Sequence, residues 1–215
     1  MISKNDVIVV GAGGHAKVCI DSLRAMGLHV AYCVGTDPSV SQCLGVDILI
    51  GDDQLNALRS KGYSKAFIAI GANTLRQKLA TKAIEQGFTL VNAIHPHAII
   101  SPSATIGSGV AVMAGAIVNA DCIIGDLAII NTGATVDHDC QIACAAHIAP
   151  QCALAGGVIV GERTFLGVGA KVIPEIKIGE NSVIGAGSVV INSIDADTVC
   201  IGVPATIIKN SKGTK

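Results

Sequence analysis

Every sixth residue from Ile94 to Val190 is Ile, Leu or Val, seventeen in succession without an exception. These three types make up roughly three in ten residues of the chain, so an unbroken run of that length has chance odds on the order of one in a billion. A second column stands four places after each anchor and is mostly small, running from Ala98 and Ala104 through Cys122, Ala134, Cys140 and Cys152 to Thr164, Ser182 and Ser188, with Ile176 and Ile194 as exceptions. A period of six matches neither the α-helical repeat nor strand alternation; it is the signature of a parallel β-helix built from hexads. Three hexads make one triangular coil, each coil adds about 4.8 Å, and the seventeen hexads predict a prism roughly 27 Å long. The backbone bonds of such a prism run between coils, so the coils stabilise one another by stacking. Gly107, Gly125, Gly161, Gly179 and Gly185 each follow an anchor directly. Glycine there is expected to relieve the steric cost of a corner.

The rest of the composition restricts the partners. A chain of 215 residues holds two small domains, and a net charge of -1 gives no electrostatic reason to bind nucleic acid or an anionic membrane. Half of the residues are hydrophobic but only 2% are aromatic, as a thin aliphatic core requires. No apolar run is long enough to span a bilayer. The apolar stretch within Met1–Val10 is too short for a signal peptide, so a cytoplasmic protein is expected. The eight cysteines include no Cys-x-x-Cys pair, and Cys122, Cys140 and Cys152 fall in the small column. They read as reduced, buried small hydrophobes rather than as disulfides or metal ligands.

Residues 1–91 carry a different pattern and are expected to form a Rossmann-like α/β domain, with 92–215 as the β-helix domain. Val7–Val10 reads as a buried strand, Gly11-Ala12-Gly13-Gly14-His15 as a turn, and the stretch from about Ala16 to Met26 as a helix. Further strands are expected over His29–Val34 and Ala66–Ile70, and helices over Asp53–Arg59 and Thr74–Gln86, giving a parallel sheet. Gly11 permits a tight turn, while Gly13 and Gly14 let backbone amides approach a diphosphate at the positive end of the helix. Gly11-x-Gly13-x-x-Ala16 also satisfies the dinucleotide fingerprint, but the acid expected for the ribose is late or absent in Val34-Gly35-Thr36-Asp37. A nucleotide sugar is therefore favoured over NAD, with a purely structural glycine turn as the third alternative.

On the prism, Asp137-His138-Asp139 stands out. His138 lies two places after anchor Val136, outside both core columns, and flanking acids can orient it and make it more basic, as a general base requires. His147 lies half a coil further on, so the two side chains are expected on different faces of one prism and converge only across a subunit contact. A zinc site of the γ-carbonic-anhydrase kind needs three protein ligands. His95 and His97 stand more than two coils from His138, so no metal is expected. A Cys-based acyl intermediate at Cys140 or Cys144 is disfavoured, because Cys140 points into the core and Cys144 lacks an evident base.

With these residues in view the chain resembles the sugar acyltransferases of the sialic acid O-acetyltransferase type, and most closely the bacterial UDP-4-amino-sugar N-acetyltransferases of the bacillosamine pathway. The resemblance rests on Val9-Val10-Gly11-Ala12-Gly13-Gly14-His15, Ile68–Asn73, His95-Pro96, Ser101–Ala104, Asn131 with Asp137-His138-Asp139, and Gly202-Val203-Pro204-Ala205. It implies a left-handed β-helix and a homotrimer with active sites between neighbouring prisms. The implied substrates are a UDP-amino sugar held by the N-terminal domain and acetyl-CoA lying along the prism. His138 matches the general base and Asp139 the acid that modulates it; Asp137 and Asn131 match polar residues near the sugar. His147 matches a histidine near the thioester, and Gly156, Val168 and Ala186 match backbone contacts to the pantetheine. Gly13, Gly14, His15 and Gly71 carry over for the nucleotide. One departure is plain: the family commonly has adjacent acids after the second strand, where this chain has Gly35 and Thr36. The implied reaction is direct transfer of acetyl to the 4-amino group of a UDP-4-amino-4,6-dideoxy-N-acetylhexosamine. A sugar O-acetyltransferase and a noncatalytic nucleotide-sugar-binding scaffold are the alternatives.

Overall fold

The computed structural model describes residues 2–51 and 53–210. The chain divides into two compact units, Met1–Pro96 and His97–Lys215. In the first, strands β1 (Asp6–Val10), β2 (His29–Gly35), β3 (Gln42–Cys43), β4 (Val46–Ile50), β5 (Lys65–Ile68) and β6 (Thr89–Leu90) form one sheet in the order β3-β4-β2-β1-β5-β6. The pairs are parallel except β3 with β4. Helices α1 (Gly14–Ala25), α2 (Gln54–Lys61) and α3 (Asn73–Glu85) connect the strands. Helix α1 buries Ala16, Cys19, Ile20 and Leu23, whose spacing of three and four residues makes one apolar stripe. The chain leaves β1 to one side for β2 and later returns on its other side as β5. This reversal opens a crevice at the carboxyl ends of the strands.

The expected helices and strands of this unit all form, with boundaries within about two residues, the usual scatter of helix ends. The β3–β4 hairpin and β6 are additional to the expected elements. Val46–Ile50 is a short apolar run bounded by Gly45 and Gly51, and that punctuation marks it as a strand.

The second unit is the expected left-handed parallel β-helix. Its two-residue strands pair in parallel with strands eighteen residues on: Thr135 with Ala153, Gln141 with Ile159, His147 with Phe165. Three faces result, named here for Thr135, Gln141 and His147. The hairpin Thr198–Ile201 and Thr206–Asn210 closes the His147 face. Anchors from Val112 to Val190 are all buried, and so is the small column from Val110 to Ile194. The narrow space between them has no room for aromatic rings; the one Phe of this unit, Phe165, occupies an outward strand position.

The small column has a second property that apolar burial does not explain. Cys122, Cys140, Cys152 and Thr164 each direct a thiol or hydroxyl to the carbonyl fifteen residues on, at Asp137, Ala155, Gly167 and Gly179. A residue here must be small, and one with an S–H or O–H also satisfies a carbonyl of the next coil. All eight cysteines are free, and all but half-buried Cys144 are buried.

The glycines after the anchors serve a purpose other than the corner expected of them. The corners fall three places after the anchors, where φ is positive at every sixth residue from Gly109 to Gly187, including residues with side chains such as Leu127 and Asp139. Gly107, Gly125 and Gly161 are small because the next coil is close: a Cβ would lie 2.5 Å from Asp126 Oδ1, 2.8 Å from Cys144 N and 2.5 Å from Glu180 N, respectively.

Thr164 tests the ladder. Its Oγ1 donates to Gly179 O at 2.7 Å and accepts from Ser182 N at 3.1 Å. Thr164→Val keeps the shape but leaves both backbone groups unsatisfied, and denaturant unfolding should register a loss of about 1–3 kcal/mol. No measurable loss would mean that these side-chain bonds are dispensable.

Candidate active site

The turn between β1 and α1 is built around Gly11. Its φ of 120° suits glycine, and a Cβ would lie 2.7 Å from Ala69 O, so position 11 excludes any side chain. Gly13 caps α1 and has open space on its Cα side, as does Gly14. The first turn of α1 holds no acid, so its positive end is uncompensated there. Beside this turn lies a cleft of about 640 Å³ lined by Gly11, Ala12 and Gly13, by Val34–Asp37, and by Ile70, Lys78 and Lys82. Two lysines on one edge and a helix N-terminus on another suit a diphosphate; Gly14, His15 and Gly71 lie next to the lining residues rather than among them.

His15 sits behind the turn, with Nε2 3.5 Å from Cys19 Sγ. Burial and then the neighbouring Arg76 charge push its pKa down to about 4, so near neutral pH it is uncharged. Arg76 itself is buried, donating to Ile70 O, Gly71 O and Asn73 Oδ1 at 2.9, 3.0 and 2.9 Å. It fixes the β5–α3 turn that carries Gly71, and nothing in the local sequence singled it out. At position 35 a Cβ would press on Ile48 Cγ2 and Ala12 Cβ at 3.0 and 3.3 Å. The space that an acid would need is filled by Ile48. Asp37 lines the cleft, but its Oδ1 already accepts from Ser39 N and Oγ at 2.9 and 2.6 Å, which lowers its pKa.

On the prism, His138 stands just before the corner that follows the Thr135 strand. Its backbone is held on both sides, the N–H donating to Asp137 Oδ1 at 2.9 Å and the carbonyl accepting from Gly157 N at 2.9 Å. The same Asp137 oxygen accepts from Asn119 Nδ2, one coil earlier, at 2.9 Å. Asp139 takes the left-handed corner, φ 60°, and from there its Oδ2 lies 2.7 Å from His138 Nδ1. The carboxylate fixes the tautomer: Nδ1 carries the proton and Nε2 keeps the lone pair. The Asp139 bond raises the His138 pKa despite some desolvation, with the charges of Asp137 and Asp139 adding to it. The ring is largely exposed, as a base that meets a substrate must be.

His147 stands on another face of the prism. It is buried, edge-on to Phe165 at 5.1 Å between ring centroids. Its Nε2 lies 3.1 Å from Asn131 Nδ2. Asn131 Oδ1 accepts from Thr132 N at 2.8 Å, which orients the amide so that Nδ2 donates to His147. Asn131 is therefore grouped with His147, and Asp137 with Asn119 and His138. Gly156 lies one coil on from His138, and Val168 and Ala186 are exposed residues two places after their anchors, each just before a corner. Among the described residues no three His, Cys, Asp or Glu side chains gather as metal ligands would. No described helix is long and apolar enough to cross a membrane.

Comparison with known proteins agrees with this geometry. Residues 6–83 match the PglD N-terminal domain, and residues 157–192 match the bacterial transferase hexapeptide model of six repeats. The structure resembles that of PerB from Caulobacter crescentus, solved with CoA and GDP-perosamine, with 56% identity over 97% of this chain and 100% of that one and a TM-score of 0.93. It is also similar to the acetyltransferase domain of PglB from Neisseria gonorrhoeae in complex with acetyl coenzyme A, at 34% identity over 96% of this chain and 100% of that one, TM-score 0.89. A curated relative, the UDP-N-acetylbacillosamine N-acetyltransferase of Bacillus subtilis, is 40% identical over 111 residues. That match spans 51% of each chain, about half the length of the relative.

The His138–Asp139 bond predicts an imidazole that titrates above the ordinary histidine value. Loss of the carboxylate removes the main cause of the shift, so Asp139→Asn should lower the His138 pKa in an NMR titration. An unchanged midpoint would show that Asp139 does not tune the ring.

Proposed function

The chain belongs to the PglD-like family of sugar N-acetyltransferases, and from that premise we propose that it moves acetyl from acetyl-CoA to the amine of a nucleoside-diphosphate-linked amino sugar. The observation that carries this reading is the exposed His138 imidazole, with Nδ1 bonded to Asp139 and Nε2 left for a substrate proton. The sugar amine attacks the thioester carbonyl carbon while His138 Nε2 removes a proton from it. The C–N bond forms, the C–S bond breaks, and CoA leaves as the thiolate, which takes up a proton. A backbone amide near the thioester is the proposed oxyanion donor. No acyl-enzyme is required. Cys140 is buried, donates to Ala155 O at 3.2 Å, and has its pKa pushed up to about 11 by burial. Such a thiol is a poor nucleophile.

The favoured substrate is GDP-perosamine, because the likeness to PerB is 56% identity over 97% of the chain, against 34% over 96% for the PglB domain. The filled space at Gly35 accords with recognition of the base or ribose that differs from what the adjacent acids common in the family imply. A UDP-4-amino-4,6-dideoxy-N-acetylhexosamine, expected from the sequence, is the second reading, favoured by the PglD N-terminal match and the curated relative. The cleft beside Gly11 is the proposed nucleotide site. His147, Gly156, Val168 and Ala186 are the proposed acetyl-CoA contacts. His138 and the Asn131–His147 pair stand on different faces of one prism, so they meet only if a neighbouring copy supplies one of them. A neighbouring copy is therefore part of the proposal, and the homotrimer and the cytoplasmic location that the resemblance and the sequence imply are carried with it.

Thiol release from acetyl-CoA should be rapid with GDP-perosamine and slower with the UDP sugar. His138→Ala should lower kcat by about 10²–10⁴-fold, the usual contribution of a general base. A faster UDP sugar would select the second reading. Silence with both amines would direct the search to hydroxyl acceptors or to a binding protein without catalysis.

A further inference from the structure

Gly156 has no conformational reason to be glycine. The left-handed corner of its coil falls on the next residue, Gly157, at φ 70°, while Gly156 itself lies outside the positive-φ region. Its need for glycine comes from a neighbour. A Cβ at position 156 would lie 2.5 Å from Cε1, 2.6 Å from Nε2 and 3.1 Å from Nδ1 of His138, and these are its three nearest atoms. The imidazole thus lies against the Cα of the residue one coil on. The backbone there has little freedom to recede, because Gly156 O accepts from Glu175 N at 3.0 Å and Gly157 N donates to His138 O at 2.9 Å.

We propose that Gly156 is a positioning residue whose missing side chain forms the seat on which the His138 ring rests, holding it in the rotamer that bonds Asp139. This role rests on the reading of His138 as the base, and it is separate from any backbone contact of Gly156 with the pantetheine. Gly156→Ala keeps the backbone N–H and C=O but fills the seat. The ring must then move by on the order of 1 Å, a misplacement that can cost about a hundredfold in rate.

The test is a thermal double-mutant cycle combined with kinetics. Gly156→Ala should lower Tm by about 2–4 °C in the wild-type background and should have no such effect in the His138→Ala background, where no ring is present. In the wild-type background kcat should fall about ten- to a hundredfold, and the His138 midpoint in the pH–rate profile should move down, because the displaced ring loses its bond to Asp139. Equal Tm changes in both backgrounds, or an unchanged kcat, would overturn the proposal. If the single variant does not fold, folding of the double variant supports the seat and failure of both overturns it. The thermal cycle does not depend on acetylation: an inactive wild type with strong Tm coupling refutes the proposed reaction and keeps the seat, whereas an active wild type with additive Tm changes does the reverse.

Discussion

The backbone hydrogen bonds that join each coil of the prism to the next are what the rest of the second unit depends on. They set a register of eighteen residues that repeats without slip from Ile99 opposite Ile117 to Lys171 opposite Val189. A strand of two residues is unstable alone, so each coil persists only because the next one satisfies its backbone. The thiols and hydroxyls of the small column add to the same ladder by capping carbonyls of the following coil. The corner residues inherit this rigidity. His138 is held in a backbone bonded on one side to Asp137 Oδ1 and on the other to Gly157.

The same register accounts for the chemistry of the corner. A histidine in water is a mediocre base of uncertain orientation. Here Asp139, from a left-handed corner position, bonds Nδ1 and raises the pKa, while the missing side chain of Gly156 leaves the space that the ring occupies. Orientation and basicity therefore come from residues one place and eighteen places away in sequence. The nucleotide cleft has a different physical basis: the carboxyl ends of a parallel sheet, a glycine turn that excludes a Cβ, and lysines on the rim.

Much of this was legible in the sequence, for a physical reason. A hexad repeat has one solution, so the anchors, the small column and the outward place of His138 followed from counting. The eighteen-residue coil also makes pairings legible by addition alone: Asn119 stacks on Asp137, and His138 on Gly156. Other features were not accessible. The period alone places the glycines after the anchors at corners, whereas the corners lie two residues later and tolerate side chains. The true constraint is the approach of the next coil, which appears only in three dimensions. The burial of Arg76 depends on the carbonyls of Ile70 and Gly71 turning towards it, and helical periodicity carries no sign of that. The burial of His147 likewise depends on Phe165, one coil away on the same face.

The claim on which the functional account stands is that a sugar amine reaches His138 Nε2. A crystal structure of the assembled protein with CoA and GDP-perosamine bound tests it most directly. The account predicts the sugar nitrogen within hydrogen-bond reach of Nε2, about 3 Å, with the CoA sulfur close by. A sugar bound with its amine remote from His138, or facing another residue, would contradict it.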